Sequence, residues 1–400
     1  MMPSDHRNLS ILRLYYMLIG GGGGFLSPFI TLFYKQQGLS GTEIGLLSTC
    51  AGLAALLAAP LWGRLSDAAA RPRRWLQLEL LASGACMLLL SQQTAFVWMI
   101  FLVMLDALMN AGSSPASDAL ALTLLSKARS GFGSVRVFAS LGWALTALVS
   151  GWLIERAGLI VAFVGYTVGF WTNAGILSRV RLPKKEPHLP HEQRRLGVRP
   201  ALRVVRHDRR LAGLGLALVT FGFMMYGLRT FEALYLKQLG AADVIVGLMS
   251  TIGATIELPG MLWADRLVRR HTAARVLRFS FLLEAARLSV VLLFPSVPTL
   301  LLMRAVGGIS FSWYVVSVLG FISNSVPDRQ VTTMLALFNV TLPAFIRIVA
   351  APVSGFIFDQ IGAYWLYALG AIGSGVAWVV MKTLVGDRAK GAPELQTGEA

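Results

Sequence analysis

Apolar residues run through this chain in blocks of about 20, parted by short polar turns. A helix of that length crosses a hydrocarbon layer of roughly 30 Å. A lone segment inside such a layer satisfies its backbone donors and acceptors only as a helix. The pattern predicts twelve spans: 11–34, 43–64, 75–94, 96–117, 135–154, 158–178, 210–234, 244–264, 274–295, 298–322, 331–357 and 363–384. The first block is longer than the apolar part of a signal peptide and lacks a small-residue cleavage site, so it is expected to remain as a span.

Composition agrees with this reading. Of 400 residues 55% are hydrophobic and 14% charged, and mean hydropathy is +0.64. A soluble domain carries roughly 25% charged residues. The net charge of +16 would suggest nucleic acid in a soluble protein. That class is excluded here, because the basic residues sit in short connections between apolar blocks. Their placement gives the topology instead. Of 36 Lys and Arg, 29 fall at the two termini and after spans 2, 4, 6, 8 and 10, counting those just inside the membrane edge. The opposite side holds Lys35, Arg156 and Lys237. Basic residues stay on the cytoplasmic side, so both termini are expected in the cytoplasm, with the chain in a bacterial inner membrane. Cys50 and Cys86 lie within apolar blocks and read as small buried hydrophobes.

The chain repeats itself. Gly45-Leu46-Leu47-Ser48-Thr49 returns as Gly247-Leu248-Met249-Ser250-Thr251, and nineteen residues after each glycine stands Arg64-Leu65 or Arg266-Leu267. Between the halves, Arg179 to Arg210 holds eleven Lys and Arg and four prolines. It reads as a solvated basic tether, with anionic lipid heads as an alternative contact. The expected organisation is a six-helix bundle at 1–178, a cytoplasmic linker at 179–209, a second bundle at 210–386 and a tail at 387–400. The fold class is therefore all-α membrane protein, with twelve transmembrane helices in two pseudo-symmetric bundles. Two parallel repeats with a site between them near the midplane make a transporter plan.

Gly63-Arg64-Leu65-Ser66-Asp67, followed by Arg71, Arg73 and Arg74, resembles the loop between helices 2 and 3 of the major facilitator superfamily. That resemblance implies a gate formed by Gly63, Asp67 and Arg71. A second likeness covers Asn110-Ala111-Gly112, Pro115 to Leu120, Gly133 to Phe138, and Gly142-Trp143. It is similar to the branch that holds lactose permease, the phenylpropionate permeases and the nucleoside–proton symporters. The likeness implies that Asp118 and Arg136 bind substrate and that Trp143 stacks on it. Lactose permease also uses a membrane histidine in proton coupling. Here His6, His188, His191, His207 and His271 all lie in segments read as cytoplasmic, so a carboxylate must take that part.

Charges within the spans are the remaining signal, since each costs about 2.5–3.5 kcal/mol at the bilayer centre unless it meets water or a partner. Asp106, Glu257 and Arg347 lie near mid-depth with no opposite charge within four residues on their own helix. Together with Arg304 they are expected to line a central cavity. Glu284 and Arg287 share a helical face, and read either as a local ion pair or as part of the coupling machinery. Arg229 and Glu232 read as an outer-rim pair, and Arg13 and Glu79 as edge residues that snorkel. The glycines from Gly20 to Gly24 allow close helix packing or a bend. Pro259, Pro343 and Pro352 are expected to kink or break their helices.

Low dielectric favours a neutral carboxylic acid, and a nearby guanidinium favours the carboxylate. A site alternating between the two can carry a proton. Glu257 is the leading candidate, with Asp106 and Glu284 as further proton-coupling residues. Asp106, Asp118, Arg136, Trp143, Arg304 and Arg347 form the candidate substrate set. The function expected is proton-coupled uptake of an aromatic carboxylate, sugar or nucleoside. The alternative is proton-driven efflux of amphipathic compounds. A membrane-embedded enzyme is disfavoured, because no metal cluster, nucleophile–base pair or phosphate loop lies at membrane depth. No cofactor is expected beyond the proton gradient. The expected partners are the small solute and the lipid bilayer, with the chain as a monomer.

Overall fold

The computed structural model describes residues 3–68, 72–113, 117, 118, 121, 125, 133–179 and 198–386. Among these residues the regular structure is helical, without strands. Span 1 comprises α1 (Pro3–Leu26) and α2 (Ile30–Gln36). It breaks at Ser27–Phe29, because Pro28 has no N–H to return to the preceding turn. Spans 2 to 6 are α3 (Gly41–Ala68), α4 (Pro72–Leu90), α5 (Phe96–Asn110), α6 (Gly133–Ala157) and α7 (Ile160–Leu177). The end of the expected tether is itself helical, as α8 (Val198–His207). Spans 7 to 10 are α9 (Arg209–Gln238), α10 (Asp243–Arg270), α11 (Ala273–Leu293) and α12 (Val297–Ser323). Span 11 joins α13 (Asp328–Ala336) to α14 (Leu342–Ile361) through a π turn at Leu337–Thr341. Span 12 is α15 (Ala363–Val380), continued by a π turn at Met381–Val385.

Each predicted span thus falls on a helix, with three local corrections. Span 4 ends as a continuous helix at Asn110, and Ala111 and Gly112 form a turn. Pro259 and Pro352 lie inside continuous helices rather than breaking them. Neighbouring helices in a bundle re-satisfy the freed backbone groups. Pro343 opens α14, where a missing N–H costs little.

Among the described residues, nine segments are long and apolar enough to cross a membrane. The other three spans are shorter or more charged. α5 has only 15 residues. α4 carries Arg73, Arg74 and Glu79, and α11 carries Arg275, Arg278, Glu284 and Arg287. The outer surface is apolar, with Val97 74%, Leu293 72% and Leu57 70% exposed. A lipid environment requires such a surface, and water would not tolerate it over so large an area.

The two halves pack alike. α1 lies on α6 and α7, α4 on α5 and α7, and α3 on α5. In the second half α9 lies on α14 and α15, α11 on α12 and α15, and α10 on α12. The glycine run serves close packing. A methyl group at Gly20 would fall on the backbone carbonyl of Ala139, and one at Gly24 would fall on Trp143 and Thr146. Thr146 Oγ1 donates to the Gly21 carbonyl at 2.7 Å, and Ser150 Oγ to that of Phe25 at 2.8 Å. α1 and α6 therefore touch backbone to backbone.

The bundles meet along two seams, α3 with α14 and α6 with α10. An even number of spans puts both termini on one face, and the seams lie toward the opposite, distal face. Thr49 Oγ1 donates to the Ile348 carbonyl at 3.0 Å in one seam, and Thr251 Oγ1 to the Ala144 carbonyl at 2.6 Å in the other. Gly45 and Gly247, the first residues of the repeated pentapeptide, face the backbones of Ala351 and Ala147 across these seams. The structure is closed at the distal face.

Candidate functional site

Beneath the closed seams lies a cavity of 380 Å³ lined by both bundles. The break in span 1 helps form it, since Ser27, Pro28, Thr31 and Tyr34 are on its wall. Ser48 of α3 and Trp143 of α6 complete the N-terminal side. Trp143 lies against Gly23, where a methyl group would approach its ring to 2.8 Å. The C-terminal bundle supplies every ionisable lining group apart from Tyr34. These are Arg229 and Glu232 of α9, Glu257 of α10, Glu284 and Arg287 of α11, and Arg304 of α12.

These six charges are not equivalent. Arg287 Nε donates to Glu284 Oε2 at 2.7 Å, its Nη2 contacts Glu284 Oε1, and the Ser310 hydroxyl donates to Glu284 Oε2. Glu284 and Arg287 are 4% and 5% exposed. This is a buried, saturated ion pair on one face of α11. Arg304 approaches Glu232 at 3.9 Å, the outer limit of an ion pair, and its Nε has no hydrogen-bond partner among the described residues. Arg229 is exposed to the cavity and stands 5.0 Å from the centre of the Phe311 ring. Glu257 has no ion-pair partner within 4 Å among the described residues. It feels the charges of Arg304 and Arg229 from other helices. The carbonyl of Glu257 accepts a 2.9 Å hydrogen bond from Ser312 Oγ. That bond ties α10 to α12 at the depth of the carboxylate.

Of the residues singled out from the sequence, the cavity gathers Glu257, Glu284, Arg304 and Trp143. Asp106 is elsewhere, in a polar network within the N-terminal bundle. Its Oδ1 accepts from Ser83 Oγ at 2.5 Å and from Asn110 Nδ2 at 2.8 Å, and Ser83 also meets the Tyr166 hydroxyl at 2.7 Å. Arg347 lies in the α3–α14 seam, with its stem 3.6 Å from a methyl position on Gly52. Asp118 pairs with Arg136 at 3.5 Å and accepts from the Tyr16 hydroxyl at 2.9 Å, toward the termini face and away from the cavity. Arg71 and the side chains of Gly63 and Asp67 lie outside the described residues.

Two readings from the sequence are corrected. Arg229 and Glu232 are on the cavity wall rather than an outer-rim pair, because the cavity extends to their level beneath the closed seams. Their spacing on one helix suggested a mutual pair, yet Glu232 turns to Arg304 of another helix. Glu79 does not snorkel. It is 3% exposed, with Oε1 2.7 Å from a methyl position on Gly112.

Two six-helix bundles around a charged, solute-sized cavity define a secondary transporter of the major facilitator type. The MFS_1 like family model matches residues 9–378, and the chain belongs to that family. It is 26% identical over 361 residues to the maltose permease of Geobacillus stearothermophilus, covering 90% of each protein. It is 25% identical over 313 residues to the multidrug resistance protein MdtG of Salmonella paratyphi C, covering 74% of this chain and 75% of the relative. Among solved structures it superposes on the nucleoside transporter NupG with a TM-score of 0.76 at 16% identity, covering 95% of this chain and 98% of that one. A bacterial homologue of the human lysosomal transporter Spinster, in an inward-facing and unoccupied conformation, gives 0.70 at 16% identity, covering 98% and 100%. A transporter of this family is not an enzyme.

Proposed function

We propose that the chain is a proton-coupled symporter that takes up a small organic solute by alternating access. The proposal places it as a monomer in a bacterial inner membrane, with both termini cytoplasmic and the distal face outward. The observation that carries this reading is Glu257. It stands on the cavity wall without an ion-pair partner among the described residues, within the fields of two arginines on other helices. Its surroundings change as the bundles rock, so its proton affinity changes with them.

An aromatic carboxylate suits Arg229 above Phe311, with Trp143 across the cavity. A sugar or nucleoside suits the hydroxyls of Ser27, Thr31 and Ser48 together with the mixed charges opposite them. The likeness to a maltose permease supports the sugar reading. Thermal-shift screening of these three classes selects the ligand. Uptake into vesicles under an imposed pH gradient then tests the coupling. Glu257→Gln should abolish pH-driven uptake and leave solute counterflow intact. Loss of both, or of neither, refutes the role.

A second reading, efflux of amphipathic compounds, draws support from the relative named as a multidrug resistance protein. Extrusion from energised vesicles with no accumulation in the opposite direction would favour it.

A further inference from the structure

Two carboxylates reach across the seams and cap helices of the opposite bundle. Asp359, near the end of α14, accepts from the backbone N–H groups of Gly41 and Thr42 at 2.6 and 2.8 Å, and from the Thr42 hydroxyl at 2.8 Å. Those residues open α3. Glu155, near the end of α6, accepts from the N–H of Val244 at 2.9 Å. That residue lies in the first turn of α10. The N–H groups of a first turn have no partner inside their helix, and the helix N-terminus favours a negative charge. Each acid therefore satisfies a neighbouring bundle's helix start with charge-assisted bonds.

The two arrangements are copies of each other. Ser150-Gly151-Trp152-Leu153-Ile154-Glu155-Arg156-Ala157-Gly158 matches Ser354-Gly355-Phe356-Ile357-Phe358-Asp359-Gln360-Ile361-Gly362 in its serine, both glycines, the aromatic residue and the acid. The closing glycines, Gly158 and Gly362, have φ of 80° and 89° and end their helices just beyond the acids. Gly151 and Gly355 give the close approach. A methyl group at Gly151 would stand 2.6 Å from the Asp243 carbonyl oxygen, and one at Gly355 would fall on the Gly41 carbonyl. Small residues bring the helices together, and the acid one turn further on fastens them. Thr42 and Val244 occupy corresponding places, three residues before the repeated pentapeptides at Gly45 and Gly247.

These contacts exist only while the distal face is closed. Separating α3 from α14 frees Asp359 and the start of α3, and separating α6 from α10 frees Glu155 and the start of α10. A group that interacts with one state alone shifts the balance between states. We propose that Asp359 and Glu155 are paired latches, each holding the distal face closed by capping a helix of the other bundle. Together they set how often the cavity opens on that side.

The test follows cavity access and needs neither solute nor proton gradient, so it can fail while the symport reading stands, and the reverse. Ser48→Cys, on the cavity wall, is placed in a chain carrying Cys50→Ala and Cys86→Ala. Its labelling by a membrane-impermeant maleimide is timed in vesicles of both orientations. Asp359→Asn and Glu155→Gln keep shape and remove charge. Each should speed labelling from the distal face about tenfold and slow it from the termini face. The double variant should exceed either single one, and Asp359→Glu should stay near the parent rate. Thr42→Val, which removes one of three bonds to Asp359, should give a smaller shift of the same sign. Melting temperatures establish that each variant is folded, and the threonine variant serves if the neutralised chains are not. Unchanged distal labelling, a response to only one acid, or faster labelling from both faces alike overturns the proposal.

Discussion

Arg287→Met asks whether the Glu284–Arg287 pair holds α11 in place or works in transport. The pair is nearly sealed, at 4% and 5% exposed, and Glu284 accepts from the guanidinium and the Ser310 hydroxyl. Methionine keeps part of the stem's volume and removes every donor. The carboxylate is then left buried with one neutral hydroxyl for company. Breaking a buried pair by deleting one partner costs about 3–5 kcal/mol. Glu284→Gln alone strands the guanidinium and should cost a similar amount. The double variant leaves no buried charge at this pair and should recover most of the loss. Equilibrium unfolding of the four purified proteins in detergent closes the cycle. A double variant whose loss equals the sum of the singles within about 0.5 kcal/mol refutes the coupling. The structural reading also falls if Glu284→Gln keeps full stability and loses only pH-driven uptake.

Two further variants test the packing. Gly20→Val drives a side chain into the backbone of Ala139, and overpacking of this kind costs about 1–3 kcal/mol; an unchanged melting temperature would show that α1 and α6 can part freely. Gly247→Val collides with the Ala147 carbonyl only in the closed seam. It should raise distal labelling of the Ser48→Cys reporter while leaving the melting temperature near the parent value.

Much of this architecture is legible in the chain because lipid imposes a simple rule. Blocks such as 210–234 must be helices, and the repeated pentapeptide at Gly45 and Gly247 reveals two halves that pack alike. The break at Pro28 was less visible, since a proline within an apolar block can also sit in a continuous helix, as Pro259 and Pro352 do. The site was read in part. Depth along a helix can be counted, and it puts Glu257 and Arg304 at the level of the cavity they line. The direction a side chain faces depends on packing, and there depth misled. Asp106 lies at mid-depth yet turns to Ser83 and Asn110 inside its own bundle. Arg229 and Glu232 lie farther out yet face the cavity. The latch acids were missed although their signal was present. Glu155 and Asp359 end matching segments, but an acid beside a span boundary is unremarkable until its partner across the seam is known.

The distribution of charge in the cavity bears on what moves with the proton. Arg229, Arg287 and Arg304 balance Glu232, Glu257 and Glu284, so the wall is neutral when all six are ionised. A proton on Glu257 leaves one positive charge in excess. A charge enclosed away from water is costly unless it is paired, so a protonated cavity closes most readily around a monoanion. One proton with one monoanion carries no net charge through the cycle. One proton with a neutral sugar or nucleoside carries one. The transmembrane potential acts on the second and not the first, at about 2.3 kcal/mol per charge per 100 mV. Uptake into vesicles clamped at different potassium diffusion potentials should therefore be flat if the solute is a carboxylate. Uptake that rises steeply with inside-negative potential would mean that the loaded carrier moves a positive charge, and the monoanion argument would fail.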